Sequence, residues 1–388
     1  MERGNVLVIG NSGVGKSTLI NAVLGEDIAM TGWGTKGTTE ELTIYEGEQI
    51  PFRIIDTVGF EPSLLKELRA VNAVRKWSKD SAAEGHEENQ INVIWFCVEG
   101  TSSKLFPKTI EDLLRATALW QTVPIIVVIT KSYSEPEREQ NIEMVTHAFA
   151  KQKRYAKNLR KIIPVVASAY VINDTAYAPP EGITELIDAT NEWMPEGIKA
   201  GAADIAAFKL NRKRALAQGI IGVSTTAAAV VGAVPIPFAD ALILSPIEIA
   251  LVNGLAQLYG IHKSEGSKQF LNSIVEVGTV SVAAKAAISA LKAIPVINLG
   301  ASVLNAIIAG SMVAALGEGA VYAFEQVYLG KKSVDDIDWV RKVIDLKFSP
   351  QLTEKVNAIV EKISKSTDKK TIGKIISDGF SGASPNTK

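Results

Sequence analysis

Four residues near the amino terminus have the types and spacing of a phosphate-binding loop. The pattern G-x-x-x-x-G-K-[ST] is filled by Gly10, Gly15, Lys16 and Ser17 in the stretch "GNSGVGKSTLINAVLG". Glycines let the backbone wrap a phosphate with its N–H groups, the lysine reaches the β- and γ-phosphates, and the serine hydroxyl binds Mg²⁺. The stretch follows an apolar run and opens a helical one, as this chemistry requires. The predicted phosphate-contacting residues are Asn11, Ser12, Gly13, Val14, Gly15, Lys16, Ser17 and Thr18.

A second stretch, "RIIDTVGF", supplies further candidates for the same site. Asp56 ends an apolar strand and is expected to hold Mg²⁺ through water, while Gly59 can turn its N–H toward a γ-phosphate. In the glycine-rich segment "TGWGTKGTTEELTIY", Thr39 is the first candidate to close onto Mg²⁺ and Thr38 the second; an ordinary turn threonine is the alternative. The candidate catalytic residues are Lys16, Thr39 and Gly59, and the candidate metal ligands are Ser17, Thr39 and Asp56.

The elements that must position these residues alternate along the first half of the chain. Short apolar runs predict buried strands: "NVLVI", "ELTIY", "FRIID", "INVIWFCV", "PIIVVIT" and "IIPVVAS". Amphipathic stretches such as "SLLKELRAVNAVRKW", "TIEDLLRATALW" and "GITELIDATNEWM" predict helices between and after them. This alternation predicts an α/β domain with a mostly parallel sheet over residues 1–200.

The second half, residues 201–388, predicts an all-α domain rich in alanine and glycine. From Lys209 onward only helical signals are found, with breaks expected at Pro235, Pro237, Pro246, Pro295 and Pro350. Residues 215–239 and 293–317 carry no charge and exceed the length of about 20 residues that spans a bilayer. Three interpretations stay open: a soluble bundle with an alanine-rich core, reversible membrane engagement, and constitutive spanning.

Composition narrows the class of partner. The 41 basic and 42 acidic residues balance, so no nucleic-acid partner is expected. One cysteine, Cys97, excludes an internal disulfide framework and indicates a reducing compartment, and the three histidines are far apart in sequence. No signal peptide precedes the first strand. The chain is therefore expected in the cytoplasm, with the inner face of the membrane as a candidate peripheral location.

The motif order "GNSGVGKS", "GTT", "DTVG", "TKSY", "SAY" resembles the translation-factor-related P-loop GTPases, closest to the Era-like and the immunity-related, dynamin-like groups. The resemblance implies GTP and GDP binding, Mg²⁺, and GTP hydrolysis. It also implies that Thr130 and Lys131 begin the base-reading motif and that Ser168 and Ala169 form the last motif. The apolar half resembles the hydrophobic C-terminal domain of uncharacterised function found fused to bacterial GTPases of this type.

Two residues depart from that family pattern. Tyr133 stands where a guanine-reading aspartate is expected, and Glu135 lies two residues on as a candidate substitute. Phe60 follows "DTVG", where many such enzymes carry a water-orienting glutamine. We therefore expect slow intrinsic turnover unless a partner or a second copy supplies the missing group.

These expectations combine into one functional hypothesis with an alternative. The hypothesis is a GTP-hydrolysing switch whose nucleotide cycle controls an apolar helical domain for self-assembly or membrane association. A nucleotide-dependent homodimer or larger oligomer is its expected form, with "TGWGTKGTTE" at the contact and Trp33 as the candidate anchor; packing of Trp33 on its own domain is the alternative. The alternative function is a nucleotide-gated scaffold that docks a protein partner with little turnover.

We predict that GTP is preferred over ATP by less than in relatives that carry the aspartate. Tyrosine cannot accept the two hydrogen bonds that guanine offers a carboxylate, and such a charge-assisted pair contributes roughly 1.5–3 kcal/mol. Parallel titrations with the two nucleotides measure the preference. A preference of many decades would show that another group, with Glu135 the first candidate, has taken over the role.

Overall fold

The computed structural model of the chain describes residues 3–25, 42–46, 51–57, 90–105, 107–108, 110–111, 114, 122–152, 155–173, 176–233, 245–263, 266–280, 301–348, 358–360, 362–363 and 368–381. The chain divides into two compact units. The first comprises Met1–Ser168 and Pro180–Lys213, and the second Ala169–Pro179 and Arg214–Lys388. A domain boundary at residue 200 stays a prediction, since this division also assigns a short segment after Ser168 to the second unit.

The first unit is built on a six-stranded sheet. Its strands are β1 (Asn5–Gly10), β2 (Leu42–Tyr45), β3 (Arg53–Thr57), β4 (Ile91–Glu99), β5 (Ile125–Thr130) and β6 (Leu159–Pro164). Their order is β2-β3-β1-β4-β5-β6, and only β2 pairs antiparallel to its neighbour. This confirms the predicted mostly parallel sheet. Such an order reverses direction at β1, which places a binding crevice at the carboxyl ends of the strands.

The central strands are continuous apolar runs because both faces of the sheet are covered. Every residue of β1 and β5 is buried, as expected for parallel strands between helical layers. Trp95 on β4 is fully buried; its indole N–H donates to the hydroxyl of Thr190 at 2.9 Å. Phe52 meets the same ring edge to face, with centroids 5.8 Å apart. Helices α1 (Lys16–Leu24), α2 (Glu135–Ala150) and α3 (Ile183–Glu192) belong to this unit.

The sixth strand lies earlier in the chain than the sequence predicts. The run "IIPVVAS" indicated a strand over residues 162–168, but β6 is Leu159–Pro164. Arg160 is exposed and Lys161 half-buried, which an edge strand tolerates because one side of it faces solvent. The strand ends at Pro164, although the N–H of Val165 still donates to the carbonyl oxygen of Ile129 on β5 at 2.8 Å.

A β-hairpin that the sequence did not predict follows β6. Strands β7 (Tyr170–Asn173) and β8 (Ala176–Ala178) pair antiparallel and belong to the second unit. All four residues of β7 are exposed, so no inside-outside alternation marks it as a strand. The predicted helix at 182–194 is confirmed as α3, whereas the one at 63–77 lies outside the described residues, and of 109–120 only 110, 111 and 114 are described.

The second unit is helical apart from that hairpin in the part of the chain that the structure describes. Its helices are α4 (Ala202–Gly232, which begins in the first unit), α5 (Ser245–Tyr259), α6 (Ser267–Val280), α7 (Ala301–Tyr328), α8 (Ile337–Phe348) and α9 (Lys369–Ser381). Helix α4 starts seven residues before the predicted Lys209, because alanines at its start favour helix. Pro246 does not break a helix but occupies the first turn of α5, where proline fits.

Helix α7 is the core of the second unit and contacts α5, α6, α8 and α9. Among the helices that the structure describes, two are long and apolar enough to cross a membrane by length and composition. They are Ser302–Tyr328 and Ala203–Gly232. In the most apolar 18-residue window of each, 78% and 50% of the window, respectively, is buried. A largely buried apolar helix is what the soluble-bundle interpretation expects, so this criterion is weak evidence for spanning.

Small residues let these helices approach closely. A Cβ added at Gly310 would lie 2.8 Å from Ile376 Cδ1, and one added at Gly317 would lie 2.7 Å from Ile221. At Gly373 it would lie 2.6 Å from the backbone Cα of Thr226. The alanine and glycine content of this half therefore serves close helix packing within the unit.

We expect two glycine-to-alanine substitutions in helix interiors to have opposite effects. Gly373→Ala should destabilise the chain by roughly 1–3 kcal/mol, because backbone lies in the way of the new methyl group. Gly219→Ala in α4, where nothing lies within 4 Å of the added Cβ, should stabilise it by roughly 0.5–1 kcal/mol. Urea unfolding followed by far-ultraviolet circular dichroism measures both. Equal effects would contradict the packing of α9 on α4.

Candidate nucleotide-binding site

The predicted site residues collect at the carboxyl edge of the sheet. Strands β3, β1, β4 and β5 are adjacent and parallel, so their carboxyl ends lie side by side. Gly10 pairs in register with Cys97, and Glu99 with Thr130. The sheet register thereby places Asp56, at the end of β3, on one side of the loop after β1 and Thr130 on the other.

The glycines of the loop are required at specific points. A Cβ at Gly10 would lie 2.7 Å from the carbonyl oxygen of Cys97, so only glycine allows β1 to end this close to β4. Gly13 and Gly15 have φ of 81° and 99°, a left-handed conformation that side chains disfavour. Gly15 is the N-cap of α1 and has no side chain to cap the helix. The first N–H groups of α1 are therefore available to an anion.

Lys16 is held over the loop. Its ammonium donates to the carbonyl oxygens of Gly10 at 2.9 Å and Asn11 at 3.2 Å. Burial lowers the pKa of Lys16, while the carboxylate of Asp56 opposes that shift. Ser17 and Thr18 are exposed in the first turn of α1, whereas Lys16 is only 7% exposed. The loop thus carries a desolvated cation beside exposed hydroxyl and N–H groups, a suitable seat for phosphate.

Asp56 has the character of a metal-binding carboxylate. Its Oδ1 atom is buried and makes no hydrogen bond in the described part of the chain. Burial raises the pKa of Asp56 to about 6, and the charge of Lys16 partly offsets this. No cluster of three or more histidine, cysteine or acidic side chains suited to a metal occurs among the described residues. One carboxylate with a hydroxyl such as that of Ser17 nevertheless fits Mg²⁺, which takes few protein ligands beside phosphate oxygens and waters.

Thr130 and Lys131 tie the end of β5 to the loop. The buried Thr130 hydroxyl lies within hydrogen-bond distance of the carbonyl oxygens of Val14 and Val98. Lys131 has φ 53°, and its ammonium donates to the carbonyl oxygen of Gly13 at 2.9 Å. The predicted base-reading pair therefore holds the phosphate loop in place from the opposite side.

Two further positioning residues were not predicted from the sequence. Glu99 accepts a hydrogen bond from the ammonium of Lys131 at 2.7 Å and another from the hydroxyl of Thr101 at 2.8 Å. Burial raises the pKa of Glu99, but these two bonds outweigh burial and leave it below its usual value. Arg138 on α2 donates to the carbonyl oxygen of Ser132 and, at 2.6 Å, to the carboxylate of Glu181. The only signal for Glu99 in the sequence is its place directly after a buried strand.

The remaining predicted residues fall into two groups. Tyr133 is half-buried in the loop after β5, Glu135 is the exposed first residue of α2, and Ser168 is exposed after β6. Ala169 directly follows Ser168 and begins the second unit. The candidates outside the described residues are Trp33, Thr38, Thr39, Gly59 and Phe60. The roles assigned to both groups stay predictions.

Cys97 lies immediately behind the loop. It is fully buried, and burial raises the pKa of its thiol to about 12, although Lys16 opposes the shift. The thiol is therefore protonated in the folded chain and is not a candidate nucleophile.

Comparison with known families accounts for both halves of the chain. A family model described as "50S ribosome-binding GTPase" matches residues 5–131, and one described as "Domain of unknown function (DUF697)" matches residues 202–346. The chain is a P-loop GTPase domain joined to a DUF697 helical domain. The predicted GTP-binding GTPase identity of the first half is thereby confirmed.

Curated relatives agree with this assignment. GTPase Era of Actinobacillus pleuropneumoniae serotype 3 is 25% identical over 233 residues, which cover 54% of this chain and 72% of that protein. GTPase Era of Haemophilus ducreyi is 27% identical over the same length and the same shares. A solved structure of Methanosarcina barkeri Roco2 RocCORdC bound to GDP is 12% identical and covers 74% of this chain and 80% of that chain, with a TM-score of 0.28.

We predict that Glu99→Gln weakens nucleotide binding by this GTPase domain. Lys131 would lose its ion pair while keeping the contact to Gly13, so affinity should fall by roughly two- to tenfold, the equivalent of one hydrogen bond. Calorimetric titration with GDP measures the change. The matched control is Glu46→Gln, which removes a similarly exposed ion pair to Arg53 at 2.8 Å and should leave affinity unchanged. Equal affinity of the two variants would contradict a positioning role for Glu99.

Proposed function

We propose that this protein is a slow, Mg²⁺-dependent GTP hydrolase whose nucleotide cycle controls the apolar helical domain for self-assembly and membrane association. The observation that carries the proposal is the geometry around Lys16. Among the described residues, the buried ammonium of Lys16 is bonded to loop carbonyls, and a buried carboxylate oxygen of Asp56, whose charge acts on that ammonium, makes no hydrogen bond. Both groups are ready for a ligand that brings phosphate oxygens.

Nucleotide binding would redirect hydrogen bonds that already exist. The ammonium of Lys16 exchanges the carbonyl oxygens of Gly10 and Asn11 for the β- and γ-phosphates, which accept stronger charge-assisted bonds. The N–H groups that follow Gly15 take the remaining phosphate oxygens. Thr130 and Lys131 keep the loop in the shape that receives them.

The metal fits the residues present. We assign Ser17 and Asp56 to hold Mg²⁺, Asp56 through water, with Thr39 joining them while a γ-phosphate is bound. When bound, Mg²⁺ neutralises charge on the phosphates. Asp56, with its pKa raised toward 6 by burial, is ionised at neutral pH and so suited to this task.

Base recognition rests on the two loops after β5 and β6. Lys131 lies against the phosphate loop, and we assign the guanine contacts to Thr130, Lys131, Ser168 and Ala169. Arg138 supports this assignment, since it bonds the loop after β5 to Glu181, which in turn pairs with Val166 just before Ser168. Tyr133 in place of a carboxylate leaves the preference for guanine incomplete.

Slow turnover follows from Phe60, since phenylalanine cannot orient the attacking water. A second copy of the chain, facing the nucleotide through the segment that contains Trp33, Thr38 and Thr39, would complete the site. In this proposal GTP binding promotes that pairing. Nucleotide-dependent self-assembly of this kind is what the resemblance to immunity-related, dynamin-like GTPases implies.

Membrane association would be peripheral, at the inner face of the membrane, and not constitutive spanning. Half of the residues in the most apolar window of α4 are buried and most of the others are half-buried, whereas 78% of the corresponding window of α7 is buried. The basic cluster at 211–214 is occupied within the protein. Arg212 stacks on Phe208, Lys213 is 6% exposed, and Arg214 pairs with Glu325 at 2.6 Å. These cations favour protein contacts over lipid headgroups, so apolar surface must carry the association.

A nucleotide-gated scaffold with little turnover is the second candidate, favoured by the absence of a water-orienting residue after "DTVG". A ribosomal partner is suggested by the description of the matched family, yet that match ends at residue 131. The balanced charge of the chain gives no further support to a nucleic-acid partner.

The proposed switch predicts that GTP turnover per molecule rises with protein concentration, together with GTP-dependent light scattering. Pairing would supply the group that Phe60 lacks, so activity follows the dimer population. Turnover measured over a wide range of concentration tests this, alongside sedimentation with liposomes in GDP and in a slowly hydrolysed GTP analogue.

The control for this experiment is Lys16→Ala, which should lose nucleotide binding and all GTP-dependent assembly while keeping its fold. Unchanged GTP affinity in that variant would refute the phosphate-loop assignment. Constant turnover per molecule, with a nucleotide-independent monomer, would refute assembly. Equal binding to liposomes in GDP and in the GTP analogue would refute the control of membrane association by nucleotide.

A further inference from the structure

A cavity of about 450 Å³ lies within the second unit, and none of its lining residues is among those assigned to the nucleotide. Its described walls come from the β7–β8 hairpin, α4, α5 and the first turn of α9. The residues that define its chemistry are Val171, Val223, Ala227, Val230, Ile247 and Lys370. Its volume falls in the range of about 300–1,000 Å³ that small-molecule sites occupy.

The shape of the cavity is determined by close contacts between the helices that surround it. Gly373 of α9 lies against Thr226 of α4, and Gly222 lies against Ser377, which fixes the crossing of these two helices. Lys370, one turn before Gly373, is thereby brought to the cavity edge. The hydroxyl of Tyr177 on β8 donates to the carbonyl oxygen of Ala250 at 2.9 Å, which fixes the hairpin to α5. The walls are therefore pre-formed.

The uncharged polar side chains of the lining are Asn173, Tyr177, Ser224 and Thr226, and the hydroxyls of two of them are bonded to backbone carbonyl oxygens. The hydroxyl of Thr226 donates to the carbonyl oxygen of Gly222 at 2.9 Å, and that of Tyr177 is bonded to Ala250. Burial raises the pKa of Tyr177, so its hydroxyl stays neutral. Most of the other lining side chains are apolar. The part of a ligand that fills the cavity should therefore also be apolar.

One charge stands at the edge of this cavity. Lys370 is exposed, and its ammonium makes no hydrogen bond or ion pair with the residues that the structure describes. The neighbouring carboxylate of Asp368 is engaged in capping α9, through the hydroxyl of Thr371 and the N–H groups of Lys370 and Thr371. A cation in the first turn of a helix is unfavourable beside the positive end of the dipole, and an anionic ligand would relieve this.

The strand β7 that contributes to the cavity carries exposed apolar side chains. Tyr170, Val171 and Ile172 on β7 are 47%, 52% and 61% exposed, the longest consecutive run of exposed large apolar side chains in the described chain. Of these three residues, Val171 belongs to the lining of the cavity, so the cavity wall includes an apolar side chain that is accessible from solvent.

We infer that this cavity binds a single-chain anionic amphiphile, with its hydrocarbon tail in the cavity and its carboxylate or phosphate group at Lys370. A fatty acid and a lysophospholipid share this chemistry. The inference goes beyond the proposed nucleotide switch, because the site lies wholly in the helical unit and needs no nucleotide.

Fluorescence titration of the full chain with cis-parinaric acid, a fluorescent fatty acid, tests the site below the concentration at which the probe self-associates. Saturable binding is expected, with displacement by lysophosphatidic acid. Ala227→Phe should abolish it by filling the cavity, and Val223→Phe serves the same purpose if that variant does not fold. Lys370→Glu should weaken binding roughly fivefold or more, since it replaces an attraction by a repulsion.

The matched controls are Ala215→Phe, on an exposed position of the same helix α4, and Lys369→Glu, one residue away and not in the lining. Both should bind the probe as the unaltered chain does, and circular dichroism with GTP turnover verifies that each variant is folded. The inference is overturned if cavity-filling variants bind normally, or if inorganic phosphate alone competes fully. It is also overturned if the probe's methyl ester binds as tightly as the acid, or if only intact phospholipid vesicles bind.

Discussion

The close approach of Gly10 to Cys97 is the constraint on which the nucleotide site depends. The separation of 2.7 Å that a Cβ would have from the Cys97 carbonyl excludes any side chain at the end of β1. Because the strand can end there, the chain turns immediately and returns as α1, and Lys16 reaches back over the carbonyl oxygens of Gly10 and Asn11. From the other side, Thr130 bonds to Val14 and Val98, so two neighbouring strands fix the same loop.

Some residues of this site could be predicted from the sequence alone, and others could not. Local spacing was enough to nominate Lys16 and Asp56, because each belongs to a motif whose chemistry dictates its neighbours, and the roles assigned to them stay predictions. Glu99 and Arg138 could not be found in this way. Their partners, Lys131 and Glu181, are 32 and 43 residues away and meet them only through the sheet register and the helix packing.

The strands that the sequence misplaced or did not predict are those whose side chains are partly or fully exposed. Apolar runs buried on both faces, such as β1 and β5, were recognised from sequence, and the parallel sheet followed from them. Strand β6 was displaced by three residues because Arg160 and Lys161 conceal an edge strand. The hairpin escaped because its strands are short and β7 is exposed throughout. In the helical half, composition alone could not distinguish a membrane helix from a buried one, and the burial of α7 is what the soluble-bundle interpretation expects.

The position of the single thiol has a consequence for the chemistry of the whole molecule. Cys97 is fully buried, its pKa is raised to about 12, and the sequence contains no other cysteine. The native protein consequently offers no thiol to oxidants or to a neighbouring copy. A disulfide-linked dimer on a non-reducing gel would therefore report chains whose central sheet had opened, and would be no measure of association between folded molecules. The protein also provides a cysteine-silent background, in which one introduced surface cysteine would be the only site that a thiol-directed label modifies.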